Sequence, residues 1–278
     1  MIFILGYKGY IGSHFYSYFK KNNIEFDVLE RTQIDNLDKG ILKNNDILVN
    51  AAGFTGKPNV DDCENHKLEC FESNSLLPVK LNLVCKKVGA KFCHISSGCL
   101  YDGYEKEFNE DDLPNFSFKQ NNCSWYSGTK ALGEELLDKN TCYILRLRLP
   151  FNYELNNERN YLNKLIKYNK LINVSNSITN LDEFIKCATN IITNNCPFGI
   201  YNIVNNYPID TKMIVFLLKK YNLINEKEWF FNYEEFESTI KTKRSNCVLS
   251  TRKIRRLGLG LTDVLYSVEK AILDYKKL

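Results

Sequence analysis

Short apolar runs alternate with longer segments of helical period along the first half of the chain. The apolar runs have the length of strands and lie at residues 2–5, 26–29, 46–50, 92–96 and 143–147. Between them, apolar residues recur at a spacing of three or four over 11–22, 65–88 and 126–137, which indicates amphipathic helices. This alternation predicts an α/β fold with a doubly wound parallel sheet and helices on both of its faces.

The pattern changes after Pro150, where the regular alternation gives way to shorter helices, short strands and Asn-rich loops. Neither an internal repeat nor a low-complexity linker marks a clean boundary. The length suits one sheet domain with a smaller appended part. We therefore expect residues 1–150 to form a Rossmann-like domain and residues 151–278 to form a smaller substrate-binding part that is interleaved with it.

The composition argues against several other classes of protein. The formal net charge of +4 is small for 278 residues and no basic block occurs, so we expect no nucleic-acid partner. No apolar run is long enough to cross a bilayer and the N-terminus lacks a signal-peptide pattern, so we expect a cytoplasmic protein without a membrane partner. The ten cysteines form no CxxC pair, which favours reduced thiols and predicts no metal site.

A glycine-rich loop joins the first apolar run to the first helical segment. It has the spacing GxxGxxG and consists of Gly6, Tyr7, Lys8, Gly9, Tyr10, Ile11 and Gly12. Glycines allow a tight turn and a close approach of backbone amides to a pyrophosphate, and the helix N-terminus adds partial positive charge. Its position between a strand and a helix predicts a dinucleotide-binding site.

The end of the second strand bears on the choice between the two nicotinamide cofactors. There Glu30 can accept a hydrogen bond from a ribose hydroxyl, whereas Arg31 can bind a 2′-phosphate. We favour NADPH, with Arg31 as its ligand, because Tyr126 and Lys130 indicate a reductive reaction. NADH stays open as the alternative.

A tyrosine and a lysine four residues apart lie on the predicted helix at 126–137. Tyr126 and Lys130 share one helix face, and a nearby ammonium is expected to lower the pKa of the phenol towards neutral pH. Tyr126 can then protonate a carbonyl oxygen while a hydride reaches its carbon. Ser97, at the end of the preceding strand, can polarise the same carbonyl. Together with the glycine loop, these three residues predict a carbonyl reductase.

The order of these motifs resembles the extended short-chain dehydrogenase/reductases that act on nucleotide sugars. Within them, the sequence is most similar to the UDP-4-keto-6-deoxyglucose 3,5-epimerase/4-reductases found in plants as part of rhamnose synthase; dTDP-4-dehydrorhamnose reductase and GDP-fucose synthase are related. The resemblance rests on residues 50–61, 63–67, 98–99, 110–116, 126–131, 146–150, 159–164, 176–179, 181–183 and 244–246. The sequence departs from the plant pattern at Phe54, Lys57, Asp62 and Ser97.

The resemblance implies roles for further residues. It implies that Cys99 and Lys164 form an acid/base pair for epimerisation, and a thiol can serve because its pKa can be tuned towards neutrality. Tyr126 and Lys130 are also expected to contact the cofactor, Lys130 at the nicotinamide ribose. The resemblance places five more residues beside the cofactor: Ala51, Ala52, Gly53, Asn74 and Pro150. The residues implied to hold the UDP-sugar substrate are Thr55, Lys57, Asn59, Cys99, Asn160 and Arg244. A homodimer is the assembly common in this superfamily.

Three functions are compatible with these residues. The first is NADPH-dependent 3,5-epimerisation and 4-reduction of UDP-4-keto-6-deoxyglucose to UDP-rhamnose. The second keeps only the 4-reduction, on another nucleotide-linked 4-keto-6-deoxy or acetamido sugar, and leaves Cys99 without a catalytic role. The third is a dinucleotide-binding regulator without turnover, because a fold does not fix a function. The presence of Ser97, Tyr126 and Lys130 favours the two enzymes.

Overall fold

The structure, a computed structural model, describes residues 1–277. Its strands are β1 (Ile2–Leu5), β2 (Phe26–Leu29), β3 (Ile47–Asn50), β4 (Lys91–Ser97), β5 (Gly103–Phe108), β6 (Cys142–Leu147), β7 (Pro150–Phe151), β8 (Lys170–Leu171), β9 (Ser175–Asn176), β10 (Thr179–Asn180), β11 (Gly199–Asn202), β12 (Ile209–Asp210), β13 (Glu228–Trp229) and β14 (Cys247–Leu249). Its α-helices are α1 (Tyr10–Lys21), α2 (Lys67–Phe71), α3 (Leu77–Val88), α4 (Trp125–Glu135), α5 (Tyr161–Lys167), α6 (Leu181–Thr193), α7 (Thr211–Lys220), α8 (Tyr233–Glu237), α9 (Arg252–Arg256) and α10 (Val264–Tyr275).

Six parallel strands form the central sheet, in the order β11-β6-β4-β3-β1-β2. The predicted parallel α/β fold is therefore confirmed. The predicted strands at 2–5 and 26–29 match β1 and β2 to the residue. The helix predicted over 65–88 begins at Lys67 and contains a π-helical turn at 72–76 between α2 and α3.

Alternate residues of the strands build separate cores on the two faces of the sheet. Ile2 and Ile4 of β1 pack on one face with Phe15 of α1 and Phe184 of α6. Phe3 and Leu5 point to the other face, where α3 contributes Leu81 and Cys85. Residues i and i+2 of a strand share a face, so a strand buried on both sides reads as a continuous apolar run.

The chain beyond Pro150 contributes both to the central sheet and to parts of the structure outside it. Strand β11 returns to the central sheet and pairs with β6, and α6 packs on the face that α1 covers. Helices α5, α7 and α10 form a separate core, to which they contribute Leu162, Ile214 and Val268. Strand β14 pairs with β5, and α9 packs through Ile254 in the core shared by α1 and α6. Within the part of the chain that the structure describes, no helix is long and apolar enough to span a bilayer.

Candidate active site

A cleft of about 350 Å³ opens at the carboxyl ends of the central strands. It lies where the strand order reverses, because β1 leads to β2 on one side and β3 leads to β4 on the other. Ligands of open α/β sheets bind at such a switch point. The cleft is lined by Gly9, Tyr10, Ile11, Ala51, Ala52, Gly53, Thr55, Asn59, Val60, Ile95, Ser96, Ser97, Cys99, Tyr126, Lys130, Leu147, Leu149, Pro150, Arg159, Tyr161 and Lys164.

The glycine loop packs so closely that two of its positions exclude any side chain. A Cβ on Gly12 would lie 2.1 Å from the carbonyl oxygen of Gly6, and one on Gly6 would lie 2.6 Å from the amide nitrogen of Ala52. Gly6 also has a φ of +84°, which favours glycine. No side chain caps the N-terminus of α1 at Gly9. A tight turn with free helix amides fits the pyrophosphate of a dinucleotide.

Charges of both signs meet where β2 ends. The carboxylate of Glu30 accepts hydrogen bonds from the Lys8 ammonium at 2.6 Å and from the Tyr7 hydroxyl at 2.7 Å. These two bonds lower the pKa of Glu30, with the bond from Lys8 as the larger cause. Arg31 donates to the Ser73 hydroxyl at 3.3 Å, so its guanidinium turns towards the helix at 67–88. Lys8 and Arg31 thus bring two cations to the strand end that Glu30 occupies.

The three residues predicted for carbonyl reduction all line the cleft. Ser124 is the N-cap of α4, and its hydroxyl accepts a hydrogen bond from the amide of Ser127, which fixes the helix start. Lys130 is buried below Tyr126 on that helix and donates to the carbonyl oxygen of Ile95 at 3.3 Å. Ser97 ends β4 and also lines the cleft.

The prediction of a lowered pKa for Tyr126 is wrong for the chain without ligands. Lys130 was expected to bring this pKa towards neutrality. Instead, enclosure of the hydroxyl by protein raises the pKa of Tyr126 well above its ordinary value, and an electrostatic contribution from the neighbouring Cys99 acts in the same direction. The neighbouring Ser97 hydroxyl opposes the increase. Burial also lowers the pKa of Lys130 to about 8. The phenol therefore keeps its proton, which suits a proton donor.

Cys99 and Lys164 enter the same cleft from different elements. Cys99 lies two residues after β4, half-buried, and its amide donates to the Ser97 hydroxyl at 3.2 Å. Lys164 lies on α5 and is also half-buried. Burial lowers the pKa of Lys164, and the charges of Arg159 and Arg244 lower it further. A lysine with a lowered pKa releases a proton more readily than an ordinary one.

The residues expected to bind substrate fall into two groups. Thr55 and Asn59 line the cleft, although the Asn59 carboxamide also accepts from the amide of Asp61. Lys57 and Arg244 lie outside the lining; Lys57 is exposed, and the Arg244 guanidinium forms a bidentate pair with Asp61 at 2.7 and 2.8 Å. A paired arginine offers less of its charge to a phosphate.

The side chains of Asn74 and Asn160 form hydrogen bonds with backbone groups and do not line the cleft. The carboxamide of Asn74 is buried and bonds both the amide and the carbonyl of Phe54 at 2.9 Å, so it fixes the loop after β3. Asn160 is also buried, accepts from the amide of Leu162 as the N-cap of α5 and donates to the backbone of Asn152. Each therefore positions a segment of the site.

Four residues without a predicted role line the cleft or lie directly behind it. Arg159 donates to the carbonyl of Gly56 at 2.6 Å, and Tyr161 lies one helical turn before Lys164. Leu149 has a φ of +42°, a strained conformation of the kind that accumulates at functional sites. Arg148 lies behind Cys99, and its charge in a buried strand end was the signal that could have identified it.

A larger depression of about 760 Å³ lies elsewhere on the molecule. Its lining includes charged side chains such as Lys106, Glu110 and Lys253. It contains none of the residues predicted for cofactor, substrate or chemistry. The cleft at the switch point therefore remains the candidate active site.

Comparison with known proteins shows the family of the chain. Residues 1–192 match the family model described as RmlD substrate binding domain. The chain is 36% identical over 218 residues to a trifunctional UDP-glucose 4,6-dehydratase/UDP-4-keto-6-deoxy-D-glucose 3,5-epimerase/UDP-4-keto-L-rhamnose-reductase of Arabidopsis thaliana, covering 74% of this chain and 31% of the relative. The chain thus spans about a third of the length of that relative and of a second trifunctional one.

A shorter relative is covered more fully. This is the bifunctional dTDP-4-dehydrorhamnose 3,5-epimerase/dTDP-4-dehydrorhamnose reductase of Arabidopsis thaliana, 33% identical over 237 residues, with 82% of this chain and 76% of the relative covered. Among solved structures, the L780 UDP-rhamnose synthase from Acanthamoeba polyphaga mimivirus superposes with a TM-score of 0.88 over 98% of both chains. At 23% identity, that match supports the fold.

Proposed function

Because the chain belongs to the RmlD substrate binding domain family, we propose that it reduces the C4 carbonyl of a nucleotide-linked 4-keto sugar. More narrowly, we propose that it epimerises UDP-4-keto-6-deoxyglucose at C3 and C5 and then reduces it with NADPH to UDP-rhamnose. The observation that carries this proposal is the meeting of Ser97, Tyr126 and Lys130 with Cys99 and Lys164 in one cleft.

The cofactor is proposed to bind along the glycine loop, with its pyrophosphate at the N-terminus of α1. When bound, NADPH supplies the hydride for C4. The residues Ala51, Ala52, Gly53 and Pro150 line the cleft, and the backbone of Ala51 and Ala52 lies against Gly6 of this loop. We assign the 2′-phosphate to Lys8 and Arg31, since both cations lie at the end of β2.

The reduction needs a proton at the C4 oxygen. Tyr126 keeps its proton in the buried site, so it can transfer that proton as the oxygen gains negative charge. The hydroxyl of Ser97 holds the same oxygen by a hydrogen bond. The ammonium of Lys130, buried one turn along α4, stabilises the phenolate that the transfer leaves.

Epimerisation uses the same oxygen before reduction. The C–H bonds at C3 and C5 flank the ketone, so removal of either proton gives an enolate that Ser97 and Tyr126 stabilise. Cys99 and Lys164 reach the cleft from β4 and α5, which allows one to remove a proton and the other to return one on the opposite face.

The charge of the cleft suits a nucleotide diphosphate. Its lining contains three cations, Lys130, Arg159 and Lys164, and no carboxylate among the described residues 1–277. Two of these cations come from the chain after residue 150. We therefore propose that residues 1–150 hold the cofactor and that residues 151–278 hold the sugar nucleotide.

Incubation of the protein with UDP-4-keto-6-deoxyglucose in deuterated water, with and without NADPH, tests both activities. We expect deuterium at C3 and C5 in either case, and UDP-rhamnose only with NADPH. Reduction without deuterium would leave a 4-reductase, and binding of NADPH without turnover of any keto-sugar nucleotide would leave a regulator. Cys99→Ala should abolish the exchange, whereas Cys123→Ala, at a half-buried cysteine outside the cleft lining, should not.

A further inference from the structure

Arg148 is a buried arginine whose charge has no carboxylate partner within residues 1–277. Its side chain is 1% exposed, and no ion pair includes it. Arg146, two residues earlier and equally buried, pairs with Glu134 at 2.6 Å. Burial of an uncompensated charge is costly, so such groups are normally paired. Arg146 is paired with a carboxylate and Arg148 is not, so the cost of burying Arg148 indicates that its charge has a function.

The hydrogen bonds of Arg148 end on neutral groups and on one thiol. Nη2 donates to the Asn176 carboxamide and to the carbonyl of Ser245, both at 2.6 Å. Nη1 donates to the Ser245 hydroxyl at 2.9 Å and to the Cys99 sulfur at 3.4 Å. The nitrogen Nε has no partner. Cys99 is thus the one titratable side chain that the guanidinium bonds, and its sulfur lines the cleft.

Several other titratable groups face this pair. The ammonium groups of Lys130 and Lys164 interact favourably with a negative Cys99, whereas the Tyr126 phenol would be disfavoured as a phenolate beside it. Around the guanidinium lie Cys247, Tyr104 and Tyr161. Each of these three is neutral unless it loses a proton, and burial raises the pKa of each. The charged neighbours of Cys99 are therefore cations.

We propose that Arg148 is a positioning residue that holds the sulfur of Cys99 as a thiolate facing the sugar. This inference rests on the proposed epimerisation, which it deepens by assigning the direction of proton transfer. The thiolate takes the proton from C3 or C5: the C–H bond breaks, an S–H bond forms, and the electron pair enters the enolate. The Lys164 ammonium then donates a proton to the opposite face of that carbon, and solvent restores both groups.

A purely structural role for Arg148 would have different experimental consequences. In that case the guanidinium only ties the end of β6 to Asn176 and Ser245, and its loss would affect stability without changing the titration of Cys99. The test therefore measures the thiol directly and does not need substrate.

The thiol can be followed by the rate of alkylation with iodoacetamide as a function of pH. Seven of the ten cysteines are buried, and Cys123 and Cys196 are the other two that are half-buried. In a parent carrying Cys123→Ser and Cys196→Ser, fast alkylation therefore reports on Cys99, which Cys99→Ser verifies. Arg148→Met should shift the alkylation midpoint to higher pH and slow the reaction at pH 7 by about tenfold.

A second variant keeps the arginine and compensates its charge. Asn176→Asp places a carboxylate where the carboxamide now accepts from Nη2, so it should shift the midpoint in the same direction as Arg148→Met. Ser245→Ala removes a neutral hydrogen bond from the same guanidinium and should leave the midpoint in place. Asn176→Asp also keeps the test valid if Arg148→Met fails to fold.

The outcomes separate this inference from the proposed function. An unchanged midpoint in folded Arg148→Met and Asn176→Asp would overturn the role of Arg148, even if the parent exchanges deuterium. A shifted midpoint would support that role, even if the parent shows no exchange and the proposed epimerisation fails. With exchange present, its pH profile should move together with the alkylation midpoint.

Discussion

The carboxylate of Glu134 joins the guanidinium of Arg146 by three hydrogen bonds of 2.6 to 3.0 Å. Both side chains are almost completely buried. Glu134 lies one turn beyond Lys130 on α4 and also accepts from the hydroxyl of Ser96, the neighbour of Ser97. One carboxylate therefore links the helix of Tyr126 and Lys130 to the ends of β4 and β6.

Loss of this carboxylate should destabilise the fold. Glu134→Gln leaves the charge of Arg146 buried without compensation, and we expect the free energy of unfolding to fall by about 3–5 kcal/mol. Urea denaturation measures the change. Glu135→Gln is the matched control, because Glu135 is exposed and pairs with Lys119 on the surface, where an ion pair contributes about 0–1 kcal/mol. Similar losses for both variants would contradict the prediction.

Removal of the Tyr126 hydroxyl should affect chemistry more than binding. Tyr126→Phe cannot protonate the C4 oxygen, and we expect kcat for NADPH oxidation to fall by roughly 10²–10⁴. The Kd for NADPH should stay within a factor of about three, because the cofactor contacts of the glycine loop are intact. Tyr168→Phe, at an exposed tyrosine that follows the C-terminal end of α5, controls for the substitution. An equal fall in both variants would remove Tyr126 from the reaction.

Lys130 should make stability depend on pH in a defined window. Its pKa is about 8 in the folded chain and about 10.5 in the unfolded chain. Between these values the unfolded state binds the proton and the folded state does not, so stability rises with pH. Relative to Lys130→Met, the wild type should gain roughly 2–3 kcal/mol of unfolding free energy between pH 7 and pH 10.5.

Denaturation of both proteins at several pH values, without cofactor, measures this difference in unfolding free energy. The contributions of the other titrating groups are the same in both proteins and cancel in the difference. A difference that stays constant with pH would show that burial does not shift the pKa of Lys130.

A methyl group on Gly12 should prevent cofactor binding. The Cβ of Gly12→Ala would meet the Gly6 carbonyl at 2.1 Å, so the glycine loop must move. We expect the Kd for NADPH, followed by its fluorescence, to rise by at least about tenfold, because the amides at the start of α1 lose their alignment. Gly260→Ala is the control, since its Cβ comes within 3 Å only of the flexible Arg255 side chain. Unchanged NADPH binding by Gly12→Ala would place the dinucleotide elsewhere.

The two cofactors should respond differently to loss of Arg31. Arg31→Ala removes a charged donor from the end of β2, and a charge-assisted hydrogen bond contributes about 1.5–3 kcal/mol. The Kd for NADPH should rise by about tenfold or more, and that for NADH should hardly change. Arg252→Ala, at an exposed arginine of the distant depression, controls for net charge. A stronger effect on NADH, or a wild type that prefers NADH, would reject the role given to Arg31.

Much of the fold followed from the sequence because its signals are local. Strands buried on both faces read as apolar runs, and helices on a sheet read as segments of period 3.6, so β1, β2 and α4 could be placed without tertiary information. The glycine loop and the spacing of Tyr126 and Lys130 are also local. These patterns were enough to predict a parallel α/β fold.

Tertiary structure decided which side chains are free to act and how they titrate. Arg244 is paired with Asp61, 183 residues earlier in the chain, and Arg148 reaches Cys99 and Ser245, 49 and 97 residues away. The direction of the Tyr126 pKa also depended on enclosure by distant segments. Hydrogen bonding, charge compensation and desolvation depend on distances in space, and the order of residues along the chain does not specify those distances.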